Sequence, residues 1–127
     1  MINVYFLELE QLLLAFPYIQ SYTIKKKIYN SKQGYIQGSI LFENGSRLDF
    51  VEVKQIDKEP KIKYRYHYMN GDGALIFRYD NMPHHAEIST FPHHKHLREK
   101  IVGSSHVDLR QVVEEVIENI VTHEPSQ

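Results

Sequence analysis

Lys61-Ile-Lys-Tyr-Arg-Tyr-His-Tyr68 alternates without a break between polar and apolar side chains. In an extended backbone successive side chains point to opposite faces, so Lys61, Lys63, Arg65 and His67 share one side and Ile62, Tyr64, Tyr66 and Tyr68 the other. A helix would scatter both sets around its axis. The stretch therefore reads as a strand with one cationic and one apolar face, and the neighbouring stretches follow from it.

Before it, Tyr22 to Tyr29, Gly34 to Phe42 and Arg47 to Val53 are rich in Tyr, Ile, Val and Phe, and turn residues separate the runs at Asn30-Ser31, Asn44-Gly45 and Glu59-Pro60. Connections this short permit hairpins but not parallel crossovers. Asn44-Gly45 between two such runs is a strong hairpin signal. After it, Asn70-Gly71-Asp72-Gly73 forms a further turn into Ala74 to Tyr79, and Leu97 to Val102 completes the strands. The expected sheet is an antiparallel meander of about six strands.

A helix flanks the meander at each end. Val4 to Phe16 has strong helix formers and only Glu8 and Glu10 as charges, and Pro17 stops it. Its apolar residues cover more than one face, which predicts burial between the sheet and either another helix or a partner chain. Near the carboxyl end, Leu109, Val112, Val113, Val116, Ile117, Ile120 and Val121 recur at helical spacing, opposite Glu114, Glu115 and Glu118. Ser105 with Asp108 suggests a capping-box start for this helix. The fold class is α+β, one domain over residues 1–127, with both helices packed on one face of the sheet.

Composition narrows the chemistry. With no cysteine, thiolate metal sites, disulfides and a cysteine nucleophile are excluded within the chain, so any metal site must use His, Asp or Glu. Neither a secretory leader pattern nor an apolar run of bilayer-spanning length is present, which points to a cytoplasmic protein that avoids membranes. Net charge is −1 with histidine neutral, but Ser21 to Arg65 carries ten Lys/Arg against five Asp/Glu, whereas Asp108 to Gln127 carries one Arg against five acidic residues. The triplet Lys25-Lys26-Lys27 matches the cationic stripe of Lys61, Lys63, Arg65 and His67. Two basic strands on one sheet could cradle a phosphate backbone, with Tyr68 among the tyrosines available to stack bases, although a solvated sheet face also explains such charge.

Eight histidines are present, and five of them, His84, His85, His93, His94 and His96, fall within thirteen residues. Arg78, Asp80, Glu87 and Lys95 stand around them. Histidine changes charge near neutral pH, so the cluster can move protons, bind metal or hold phosphate. Three uses fit. His94-x-His96 on an extended segment would turn both imidazoles to one side and, with His84, His85, Asp80 or Glu87, hold zinc or another divalent ion. Alternatively, two histidines as acid and base, with Arg78 and Lys95 on the phosphate and Asp80 or Glu87 orienting an imidazole, supply a metal-independent RNA cleavage site without a cofactor. In the third, the histidines are structural or form a partner interface. His67, His106 and His123 are isolated, and for them a structural role is the simpler reading, although His67 alone stays of interest because its strand runs next to the strand entering the cluster.

Tyr64-Arg-Tyr-His-Tyr68, Gly73-Ala-Leu-Ile-Phe-Arg-Tyr-Asp-Asn81, Pro83-His-His85, Glu87 and Thr90-Phe-Pro-His-His-Lys-His96 together resemble the TumE-type toxins of prokaryotic toxin-antitoxin modules. The close match covers about a quarter of the chain, and Met82 and Ala86 stand where the family pattern leads one to expect alanine and proline. The resemblance implies a growth-inhibiting toxin of a type II module, neutralised by a cognate antitoxin. It transfers no catalytic residues, so endoribonuclease action rests on the residue chemistry above, with a non-catalytic or metal-binding interaction protein as the alternative. The apolar first helix and the acidic last one are natural surfaces for an antitoxin or for a homodimer.

Overall fold

Seven strands in sequence order, β1-β2-β3-β4-β5-β6-β7, form one antiparallel meander in the computed structural model, which describes residues 1–57, 61–83 and 90–123. They are β1 (Ile19–Ile28), β2 (Gln33–Phe42), β3 (Arg47–Gln55), β4 (Lys63–Met69), β5 (Leu75–Asp80), β6 (His94–Leu97) and β7 (Ile101–Gly103), framed by α1 (Ile2–Ala15) and α2 (Leu109–Thr122). The single strand expected over Leu97 to Val102 is instead a hairpin, because Leu97 donates its N–H to the Lys100 carbonyl and turns the chain there.

Local chemistry explains the turns. Gly45 has φ +88° and Gly73 φ +84°, a backbone region that a Cβ disfavours. At the second of these turns the Asn70 side chain accepts the N–H groups of Asp72 and Ala74. The cap of α2 differs from the expected Ser105. Asp108 is the N-cap, and its carboxylate and the Gln111 side chain bond reciprocally to each other's backbone N–H groups. A capping box needs Glu or Gln at its third helical position, and Gln111 supplies it.

Cross-strand pairing sorts the side chains by face. Tyr64, Tyr66 and Tyr68 of β4, Phe50 of β3, Phe77 of β5 and Ile36 and Ile40 of β2 are buried with Phe6 and Leu13 of α1 and Val112, Val113 and Val116 of α2. Both helices therefore cover the same side. The Glu52 carboxylate, completely buried there, accepts the hydroxyls of Tyr66 and Tyr5, which ties β3 and β4 to α1. The outer flank of α1 is open, with Leu7 and Leu14 exposed. Among the described residues no helix is long and apolar enough to cross a membrane.

Candidate functional site

Among the described residues no helix lies on the opposite face, and two rows of paired residues run across it. One row is Asp49, His67, Arg78, His96 and Ile101, and the other is Lys25, Gln37, Val51, Arg65, Asp80, His94 and Gly103. Directly paired residues point the same way, so the register alone gathers Arg65, His67, Arg78, Asp80, His94 and His96 on one surface.

Asp80 is the hub of this cluster. Its carboxylate is only 3 % exposed, and Nε2 of His94 lies 2.7 Å from Oδ1. Oδ1 also accepts the Met82 N–H at 3.1 Å, while Oδ2 faces Nε2 of His96 and Nε of Arg78, each at 3.3 Å. Burying a carboxylate is costly unless cations and donors surround it, and here they do. Nδ1 of His94 lies 2.9 Å from the Pro92 carbonyl, which can only accept, so that nitrogen carries a proton. Nε2 is thereby turned to the carboxylate, and the two contacts together fix the ring. His94 is 1 % exposed and so supports the site from beneath, whereas His96 and Arg78 reach the surface with side chains 12 % and 32 % exposed. His67 is half-buried on the far side of Arg78, and burial followed by the Arg78 charge lowers its pKa below the usual histidine value.

A second group of ionisable side chains occupies the helix-covered face. His93 directly precedes His94 and points the other way, its Nδ1 2.8 Å from the Tyr64 hydroxyl. Lys61 is buried, with Nζ 3.1 Å from Nε2 of His106 and donating to the Val107 carbonyl at 3.2 Å. Burial, then the Asp80 charge, raises the Tyr64 pKa, and burial, then His94 and Lys61, lowers that of His93.

The expected site residues are therefore divided. Arg78, Asp80, His94 and His96 come together. His93 does not join them, and Lys95 belongs to the helix side, where it donates to Glu115 Oε2 at 2.8 Å and lies over the Tyr79 and Phe77 rings. Its pKa is raised: burial works to lower it, but the hydrogen bonds that its ammonium donates to Glu115 and Tyr79 prevail. His84, His85 and Glu87 lie outside the described residues.

The backbone-binding set divides as well. Lys25, Lys27, Lys63, Arg65 and His67 share the helix-free face, by pairing through β2 and β3. Lys26 faces α1 and bonds Glu10 at 3.0 Å, since alternation cannot keep three consecutive lysines on one side. Lys61 precedes β4, so the alternation read from Lys61 to Tyr68 does not reach it. Tyr68 is fully buried and donates to Ser46 Oγ, out of reach of any base. Arg47 joins the cationic face unanticipated; its place between Asn44-Gly45 and a β-rich run was the available signal.

His94 and His96 each offer one ring nitrogen and Asp80 one carboxylate oxygen that all lie within 4.8 Å of one another, a spacing that could also hold a cation. A family model described as Toxin TumE matches residues 9–124. No curated protein and no solved structure matches the chain.

Proposed function

This chain belongs to the TumE toxin family, and from that premise we propose that it is the toxin of a type II toxin-antitoxin module that cleaves RNA without a metal, with the Asp80 cluster as its centre. What carries the reading is the convergence of a buried carboxylate, two imidazoles and a guanidinium on the same sheet face that presents Lys25, Lys27, Arg47, Lys63 and Arg65. A toxin of this kind implies a cognate antitoxin as partner.

The reaction needs a base for the 2′-hydroxyl proton, an acid for the departing 5′-oxygen and a cation for the phosphorane. Arg78 sits between His67 and His96 in one cross-strand row, so a phosphate on its guanidinium has an imidazole on either side. His67, kept neutral by burial and by Arg78, takes the proton as the 2′-oxygen attacks phosphorus. His96, oriented through Nε2 by Asp80, returns a proton to the 5′-oxygen as the P–O bond breaks, leaving a 2′,3′-cyclic phosphate and a 5′-hydroxyl. His94 is a positioning residue that holds Asp80.

A second reading uses the same donors for a divalent ion such as zinc, and the spacing of Asp80, His94 and His96 favours it. Against it, Arg78 lies 3.3 Å from the same carboxylate and would repel a second cation. The test is purified protein incubated with total RNA, with and without chelator, beside elemental analysis and a folded His96→Ala variant. Chelator-resistant cleavage abolished in the variant is expected. Stoichiometric zinc with chelator-sensitive cleavage would transfer the site to the metal reading, and no cleavage by the folded parent would overturn both nuclease readings.

A further inference from the structure

Beside the Asp80 cluster, β1, β2, β3 and β4 enclose a groove of about 520 Å³ on the helix-free face. Lys25, Arg47 and Arg65 stand in its walls, and Gln37 and Val51 line it. Its lining carboxylate, Asp49, is already engaged, accepting the Ser39 hydroxyl at 2.7 Å and facing Nε of Arg47 at 3.2 Å. The groove therefore offers positive charge to a ligand. Val51 is only 9 % exposed although no helix among the described residues covers this face, so the long side chains around it fence an apolar floor. An apolar floor, cationic walls and one neutral amide with both donor and acceptor match the parts of a nucleotide: a base face, a phosphate and a base edge. The volume falls in the range of small-ligand sites.

We propose that this groove binds one nucleotide of single-stranded RNA next to the cleaved linkage. Arg47 and Arg65 hold the phosphate on one side of the nucleotide and Lys25 the phosphate on the other, the base rests on Val51 between them, and Gln37 bonds the base edge. This deepens the proposed action on RNA and rests on it for the substrate, but not for the binding itself. Arg65 belongs to the groove and is also the direct cross-strand partner of Asp80, which makes the two sites continuous. Val51 and Asp80 are separated by two strand spacings, roughly 10 Å, a distance an extended strand covers within a few nucleotides.

The experiment measures binding where cleavage cannot interfere. Fluorescein-labelled 2′-O-methyl hexanucleotides of A, C and U are titrated onto the full chain by anisotropy, at several salt concentrations. Lys25→Glu and Arg47→Glu each raise Kd at least tenfold and flatten its salt dependence. Gln37→Ala leaves the salt dependence alone but changes the ratio of Kd among the three hexamers by threefold or more. If both charge variants are folded by circular dichroism and bind within twofold of the parent, the groove is not the site. Equal loss for all three hexamers and for inorganic polyphosphate, with Gln37→Ala inert, would overturn the nucleotide assignment in favour of a plain cationic patch. Tight groove-dependent binding with no cleavage of unmodified RNA by the parent would sink the nuclease reading and leave the groove standing. Cleavage with groove-independent binding would do the reverse.

Discussion

His93 and His94 are neighbours in the chain and belong to different chemical environments. His94 faces a buried carboxylate shared with His96 and Arg78, whereas His93 meets a tyrosine hydroxyl, with His106 and Lys61 beyond it. Burial acts on both groups, but its consequence depends on whether a carboxylate is present. Around Asp80, a carboxylate, two imidazoles and a guanidinium are held together on one face of an open sheet. In the Tyr64 group, burial keeps the tyrosine protonated and disfavours charge on His93, so the ring and hydroxyl pack as neutral partners. Density of histidines along a sequence thus says little until alternation has divided them.

Removing the carboxylate is the strongest way to test that contrast. Asp80→Ala would leave Arg78, His94 and His96 facing one another without their counter-charge, and breaking such a buried set costs about 3–5 kcal/mol. A large fall in the midpoint of chemical denaturation is expected, together with loss of cleavage. His106→Ala, on the other side of the sheet, should spare cleavage; equal damage from the two variants would mean that the faces do not differ in the way described. Next in size is His96→Ala. It retains Asp80, His94 and Arg78, so the fold should survive while single-turnover RNA cleavage drops by about 10²–10⁴-fold, the usual contribution of an acid or base. A folded His96→Ala variant cleaving within threefold of the parent would remove His96 from the chemistry.

Much of the fold was legible because strand alternation, Asn-Gly turns and helical spacing all act locally. Lys63, Arg65 and His67 against Tyr64, Tyr66 and Tyr68 could be assigned to faces from β4 alone. What local reading missed was where alternation begins and stops: Lys61 lies before the strand, and Lys26 cannot share a side with Lys25 and Lys27. Partnership was less legible still. Pairing of Asp80 with Arg65 on one side and His94 on the other depends on the registers of β4, β5 and β6, including an irregularity between Tyr68 and Met69 that no sequence pattern announced. Asp80 was therefore visible as a candidate and His67 as a residue beside the strand entering the cluster, while the role of Asp80 as hub and the direct pairing of His67 with Arg78 were not.

Tyr64→Phe probes the other side of the contrast. Loss of one part-buried hydrogen bond to His93 should cost about 1 kcal/mol, with little change in RNA cleavage. Its pH signature is more specific. The raised pKa of Tyr64 and Tyr66 means that the folded state retains protons that the unfolded chain releases above about pH 10. Stability from these groups is fully present below that pH and is lost as pH rises through the folded values, and Tyr64→Phe should lessen the decline. On the acid side, the lowered pKa of His67 and His93 gives stability that is present above about pH 6.5 and lost as pH falls through the folded values. Denaturant midpoints at pH 5 to 11 check both limbs, and an alkaline limb identical in the variant would show that Tyr64 does not contribute.

Lys95→Met should have the smallest effect, and it separates placement from proximity. Lys95 lies between His94 and His96 in sequence, yet its ammonium reaches Glu115 of α2, with side chains 21 % and 36 % exposed at the two ends. An ion pair that accessible is worth about 0.2–1 kcal/mol after solvent screening. Met gives up the ammonium over the Phe77 and Tyr79 rings but can offer them its thioether instead, so the net loss should stay at about 1 kcal/mol and weaken further at high salt. RNA cleavage should remain within about twofold of the parent, because the substitution leaves the Arg78 row untouched. A hundredfold loss of cleavage in a folded Lys95→Met variant would put this lysine on the phosphate after all and would require β6 to present it to the face that carries His94 and His96. The measurement therefore asks whether strand alternation, rather than closeness in sequence, decides which residues of the histidine-rich stretch share a site.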